Sequence, residues 1–407
     1  MLKTFQNFKP ITLDVNYFIY ILIFSYVLGP AVFNIVITFF SLVSIYNLFF
    51  KKNYYFEDIV FIFILFIALI NFIKFSNFNP HFFSFLRLFF IFIAIDISLN
   101  YKKINYFPLI FLTLILLIDS LFQFVFGQNL LGYGKFDGFR LTSLFKNEPI
   151  IGSFLMKLII PIIVLYFIKK KLLKNELQNI LKFLIPIGCT TIFLSGERMP
   201  VIQITFFIII FFIYLRKFKS LFFFFISSLI LLKIINLFDL NILKRISLTF
   251  SQFLKFFNTN LFSFNNLSDF TMLKPYILNF GSGFQLWLNN ILLGGGYRFY
   301  HEKCTEVLKD KNSSFIEGCS THPHNIPLEI LSDFGIIGLI LFYLLFFFPI
   351  LRAFKNKVSL GEDIGFVFVL LVMSFPFFTS QSIFSSYYGG LFFVFLIITK
   401  KLSISKN

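Results

Sequence analysis

Apolar positions in this chain come in long unbroken runs rather than in alternation. Ile59 to Ile73 contains no charged side chain, and between Asn105 and Tyr133 the one charge is Asp119. A helix needs about 20 consecutive apolar residues to cross a hydrocarbon core of roughly 30 Å. In lipid the backbone polar groups must be satisfied internally, which leaves helices and closed barrels. Continuous rather than alternating hydrophobicity selects helices. The runs predict about twelve transmembrane helices, near 13–29, 31–50, 57–74, 81–99, 105–126, 149–168, 180–195, 199–215, 220–238, 327–351, 363–380 and 384–399. The expected fold is an all-α integral membrane protein, one polytopic domain over 1–407, with no soluble domain or internal repeat.

Composition agrees. Of 407 residues 58% are apolar and only 14% charged, against roughly 25% charged in a soluble domain. The net charge of +17 would suit nucleic acid, but the charges sit in short loops between apolar runs, so no nucleic-acid partner is expected. They follow the positive-inside rule instead. Lys3 and Lys9 precede the first span. Lys51–Lys52, Lys102–Lys103, Lys169–Lys171 with Lys174, Arg216–Lys217 with Lys219, Arg352 with Lys355 and Lys357, and Lys400–Lys401 all fall on the same side. Both termini are therefore expected in the cytoplasm. The opposite side carries a loop at 127–148, a tight turn at 195–200 and a long stretch at 239–326 expected to hold short helices; loops this long are usually functional. Within it, Ile242 to Phe257 has helical apolar spacing with Lys244, Arg245 and Lys255. It reads equally as a helix lying on the membrane surface or as an ordinary packed loop helix.

Candidate chemistry concentrates at 318–338, where His322, His324 and Asn325 stand immediately before an apolar helix. Asn325 is a good N-cap, and Pro327 is tolerated in a first helical turn. His324 then lies at the positive end of a helix dipole, which disfavours imidazolium and leaves a neutral ring able to accept a proton. The plain alternative is a capping segment whose histidines only line an interface. A metal is not expected, because His322 and His324 lack clear further ligands. Glu148 is a second acid–base candidate, or simply a partner for Arg140. Cys304 and Cys319 both lie in the long outer loop, where oxidising chemistry permits a disulfide. Closing about 15 residues would stabilise by roughly 3 kcal/mol. Cys189, within a span, reads as an inert apolar residue.

His324–Asn325 is followed by nine residues and then Gly335-Ile336-Ile337-Gly338. Leu293-Gly294-Gly295-Gly296-Tyr297-Arg298-Phe299 precedes it as a glycine-rich segment, Ser195-Gly196-Glu197-Arg198 forms a Ser-Arg-like turn, and Gly138-Phe139-Arg140-Leu141 lies before a mid-chain span. Together, over residues 130–340, these resemble the bacterial O-antigen ligase and polymerase family; Asn147-Glu148-Pro149 departs from the Asn-Pro-Asn-like residues many members have.

The resemblance implies an inverting glycosyltransferase of the bacterial inner membrane. It would work without a cofactor, taking a glycan from a polyprenyl-diphosphate carrier at the periplasmic face. His324 would be the base. Arg140 and Arg198 would bind the diphosphate with Arg298 as a third, since guanidinium forks hold such oxygens and cannot lose their charge. Each arginine also has the plain reading of a side chain snorkelling at a membrane-facing turn. Asn325, Gly335 and Gly338 complete the motif. The acceptor would be lipid A–core for a ligase, a growing glycan for a polymerase, or a protein hydroxyl. A different class stays open, a lipid-linked oligosaccharide transporter, for which the in-span carboxylates Asp96 and Asp119 speak.

Overall fold

A computed structural model of the chain describes residues 13–50, 66–70, 99–100, 104–219, 273–355, 363–376 and 378–404, with isolated positions between 222 and 271 and at 361. The predicted spans at 57–74, 81–99 and 220–238, the segment Ile242 to Phe257 and Asp96 lie wholly or largely outside the described residues. The described elements are α-helices and short 3-10 turns, with one two-residue parallel pairing of β1 (Leu13–Asp14) and β2 (Leu99–Asn100). Five described helices are long and apolar enough to cross a membrane, and four shorter apolar helices accompany them. The protein is thus a helical membrane protein.

Its contacts gather into two compact units, one of Met1–Asn105 with Leu278–Asn407 (unit 1) and one of Tyr106–Ile277 (unit 2). Unit 1 holds α1 (Val15–Leu28) and α2 (Pro30–Phe50). After α7 (Lys274–Asn289), which straddles the division, it continues with α8 (Phe299–Asp310), α9 (Ile326–Lys355), α10 (Ile364–Met373) and α11 (Ser386–Ile404). Unit 2 holds α3 (Phe107–Phe126), α4 (Ile151–Lys169), α5 (Asn175–Leu194) and α6 (Arg198–Tyr214).

In unit 2, α4 is apolar around most of its surface, the buried Lys157 excepted, and buried along most of its length between Ile151 and Leu165, as expected of a helix enclosed by neighbours. It packs on α5 and α6. The inner stripe of α3 is apolar at first and turns polar toward its C-terminal end, where Asp119, Ser120 and Gln123 are fully buried. Asp119 accepts from the Ser143 hydroxyl (2.6 Å) and the Leu130 N–H (2.9 Å). Gln123 Oε1 accepts from the Thr142 and Ser143 N–H groups, each at 2.9 Å. These residues anchor the 127–148 loop. Asp119, read from sequence as a transporter-like carboxylate, here ties down a loop.

Unit 1 is stapled by aromatic contacts. Tyr26 of α1 stacks on Tyr387 of α11 with ring centroids 3.8 Å apart, and Phe342 and Phe346 of α9 stack on Phe392 of α11. The expected span 363–380 ends as a helix at Met373, because Ser374-Phe375-Pro376 follows and a proline forces its predecessor out of helical conformation. The expected span 327–351 is not one continuous helix either. Gly335 takes φ 66°, ψ −167° and breaks α9 in two.

Candidate functional site

The break at Gly335 builds the site. Breaking a helix leaves carbonyls on one side and N–H groups on the other without partners, and the glycine-rich segment with the two residues before it supplies both. Gly295 and Gly296 donate to the Ser332 and Asp333 carbonyls (2.9 and 2.8 Å), while Ile336 and Ile337 donate to the Ile291 and Leu292 carbonyls (2.9 and 3.3 Å). The two backbones approach so closely that a Cβ on Gly294 would lie 2.3 Å from the Phe334 nitrogen, and one on Gly335 would lie 2.3 Å from the Leu292 carbonyl. Both glycines also have positive φ, +67° and +66°, where L side chains are disfavoured. The Gly294–Gly296 and Gly335–Gly338 motifs are therefore one feature in three dimensions. Gly338, a turn beyond the break, leaves room for Phe334.

The short first half of α9 presents two acidic side chains one turn apart. Asp333 accepts from the Arg298 and Tyr300 N–H groups, both at 3.0 Å, and so caps α8. Glu329 accepts from the Ser382 hydroxyl and from the Ile383 N–H at 3.1 Å. Both carboxyls are buried. Their partners ring a cavity of about 310 Å³ lined by Tyr297, Arg298, Tyr300, His301, Thr321, His322, Glu329, Asp333, Ser382, Phe384 and Ser385. Arg298 bears its guanidinium against His301, with Nη2 3.2 Å from the ring nitrogens.

Asn325 caps α9, its Oδ1 accepting from the Leu328 N–H at 3.0 Å, while its amide nitrogen donates to the Pro376 carbonyl at 2.7 Å. One residue earlier, His324 has φ 52° and its carbonyl accepts from the Ser380 N–H (2.9 Å). Its ring centroid is 4.1 Å from that of His322, the histidine that lines the cavity. Burial pushes the His324 pKa below its usual 6.5. His322 is driven down to about 3, first by burial and then by the neighbouring His324 ring. The Ser380 backbone favours the charged His322 ring a little, without hydrogen-bond geometry to its buried Nε2. Both imidazoles are neutral at pH 7. Upstream, Cys304 of α8 is joined to Cys319 by a disulfide, with Cα atoms 5.7 Å apart. The Tyr300 hydroxyl donates to the Gly318 carbonyl at 2.9 Å. The approach to His322 is thus tied twice to α8.

The other candidates lie in unit 2. Arg140 pairs with Asp137 at 2.5 Å and lies over the Phe136 ring, its charged carbon 4.5 Å from the ring centre. Glu148 is exposed. Arg198, the first residue of α6, donates to the Thr249 hydroxyl at 3.1 Å and lies over Tyr276 at 5.2 Å. Between them Glu197 caps α4, accepting from the Gly152 and Ser153 N–H groups at 2.5 and 3.3 Å. Burial raises its pKa to about 7, against the pull of those two N–H donors and of nearby Lys157 and Arg140.

The structure thus gathers Arg298, His322, His324, Asn325 and Gly335 in unit 1, and Arg140 and Arg198 in unit 2. Sequence reasoning passed over Glu329, Asp333 and Glu197. For the first two a signal existed, since acidic residues at i and i+4 in the opening of an apolar helix are costly unless used. Nothing local pointed to Ser382, 53 residues beyond its partner. Among the described residues no cluster of three or more His, Cys, Asp or Glu could hold a metal ion.

No curated protein matches the chain. Residues 183–343 match the family model described as O-antigen ligase. The matched stretch contains Arg198, the glycine-rich segment, His322, His324, the two carboxyls and the break at Gly335. Over those residues, less than half of its length, the chain is similar to the O-antigen ligase family.

Proposed function

We propose that the protein transfers a glycan from a polyprenyl-diphosphate carrier to an acceptor hydroxyl at the periplasmic face of the inner membrane. It would act as an O-antigen ligase, with lipid A–core as acceptor, or as a polysaccharide polymerase extending a carrier-linked chain. The observation that carries this reading is in unit 1: a cavity lined by Arg298 and His322, with a second neutral imidazole, His324, tilted against the His322 ring. The acceptor oxygen attacks the anomeric carbon from the side opposite the diphosphate, so configuration inverts. The acceptor proton passes to His324, whose low pKa keeps it able to accept at pH 7. The bond to the diphosphate breaks, and its electron pair leaves with the phosphate oxygen. Arginine stabilises that charge through paired N–H donors. Arg298 is put forward for this from its place at the cavity, and Arg140 and Arg198 from their resemblance. Glu148 stays a second acid–base candidate. The Cys304–Cys319 bond supports an oxidising, periplasmic surrounding for α8. It fits a twelve-helix topology with both termini cytoplasmic.

The test is transfer in vitro from a polyprenyl-diphosphate-linked glycan, wild type against His324→Ala, offering lipid A–core and a second donor molecule separately. Loss of a base is expected to cost about 10²–10⁴ in rate while folded protein remains in the membrane. Full activity in His324→Ala would remove the assignment. Product on lipid A–core marks a ligase, and lengthened carrier-linked chains mark a polymerase.

A further inference from the structure

Helix α8 begins without a cap of its own. Arg298 stands at its N-cap position in a left-handed conformation, φ 61°, ψ 21°, and its side chain makes no capping hydrogen bond. That conformation is uncommon for a residue other than glycine, and the first N–H groups of a helix need acceptors from elsewhere. They find one 35 positions along the chain. Asp333 is 1% exposed, yet its carboxyl reaches no lysine or arginine side chain among the described residues. One oxygen takes the Arg298 N–H and the other the Tyr300 N–H, each at 3.0 Å. Its own carbonyl accepts from Gly296 at 2.8 Å, so the residues on both sides of Tyr297 hang from Asp333. The Arg298 guanidinium is left at the cavity wall beside His301.

We infer that Asp333 is a positioning residue for Arg298: it holds the arginine's backbone so that the guanidinium meets the diphosphate of the donor in the unit 1 cavity. This rests on the reading of that cavity as the transfer site. Although it lines the cavity, both Asp333 oxygens are taken up by backbone N–H groups. It acts by geometry, and a displacement of about 1 Å in a group that positions substrate can cost about a hundred-fold in rate.

The substitution that probes this is Asp333→Asn, nearly the same shape but with an NH₂ group facing a backbone N–H. Four forms are compared: wild type, Asp333→Asn, Arg298→Ala and the double variant. Each is measured for transfer and for binding of inorganic pyrophosphate. If Asp333 works through Arg298, either single change lowers transfer by about a hundred-fold and weakens pyrophosphate alike. Asp333→Asn then costs nothing more once Arg298 is gone. A structural role predicts something different, the same multiplicative loss on both backgrounds, and that result overturns the inference. So does wild-type behaviour in Asp333→Asn, or failure of the wild type to bind pyrophosphate. Should Asp333→Asn not yield folded protein, Asp333→Glu keeps the carboxylate and runs the same cycle. The two measurements separate the claims. Absence of transfer in the wild type would count against the proposed function, while pyrophosphate binding still reports on how Arg298 is held.

Discussion

Unit 1 and unit 2 both bring arginines together with a desolvated carboxyl, and they use them differently. In unit 2 the arginine side chains are engaged by other side chains, Arg140 by Asp137 and Arg198 by Thr249 and Tyr276, while Glu197 caps α4. In unit 1 the acidic side chains hold backbone, Asp333 at the start of α8 and Glu329 at Ile383, and Arg298 and His322 line a cavity. Both regions matched motifs by residue type. The difference teaches that a motif arginine becomes a better ligand candidate when other groups fix its backbone and its own charge faces an opening.

The largest effect that would sharpen this contrast comes from the glycines. Gly335→Ala puts a Cβ against the Leu292 backbone in a left-handed conformation, and two such strains together cost about 2–6 kcal/mol. In unit 2, Gly152→Ala meets only the side chains of Ser195 and Glu197, which can turn away, so about 1–3 kcal/mol is expected. Thermal unfolding of the two purified variants tests the order. Equal losses would remove the claim that unit 1 is locked backbone against backbone.

Next comes the disulfide. Reduction of Cys304–Cys319, whose partners are 15 positions apart, is expected to destabilise unit 1 by roughly 3 kcal/mol. The shift should vanish in Cys304→Ser and persist in a variant of Cys189, the buried free thiol of unit 2. A melting temperature indifferent to dithiothreitol would show that the loop before His322 is held without the bond.

The smallest effects, at most about 1.4 kcal/mol per group for each unit of pH, should be in pH dependence, with opposite signs in the two units. His322 has its pKa lowered from 6.5 to about 3. The unfolded chain therefore binds the proton first, and stability is lost as pH falls from about 6.5 toward 3. Glu197 has its pKa raised from 4.5 to about 7. There the folded chain holds the extra proton, and stability is lost as pH rises from about 4.5 through 7. His322→Asn should flatten the acid limb and Glu197→Gln the limb above pH 4.5. If both variants follow the wild-type profile, neither group is as desolvated as its surroundings imply.

How much of this was legible depends on range along the chain. Asn325 could be read as a cap because its partner, the Leu328 N–H, is three residues away. A neutral His324 was expected from the helix dipole, whereas burial, which local sequence does not show, is what lowers its pKa. The split of α9 could not be read, because Gly335 inside an apolar run looks like an ordinary tolerated glycine until Leu292 is found against it. The Asp119 carboxyl suggested transport from its sequence neighbours, and its true partners, Leu130 and Ser143, lie on the far side of a loop.

What this chain determined by sequence alone was membership of the membrane, the places of most of the described apolar helices, and the histidine motif. Those follow from hydrophobic length, charge asymmetry and local capping, each set by neighbouring residues. What only the tertiary structure decided was which glycine meets which backbone, which carboxyl holds which helix, and which arginine faces a cavity. Those depend on hydrogen bonds between segments 33 to 54 positions apart, and no local pattern of residues encodes where such segments meet.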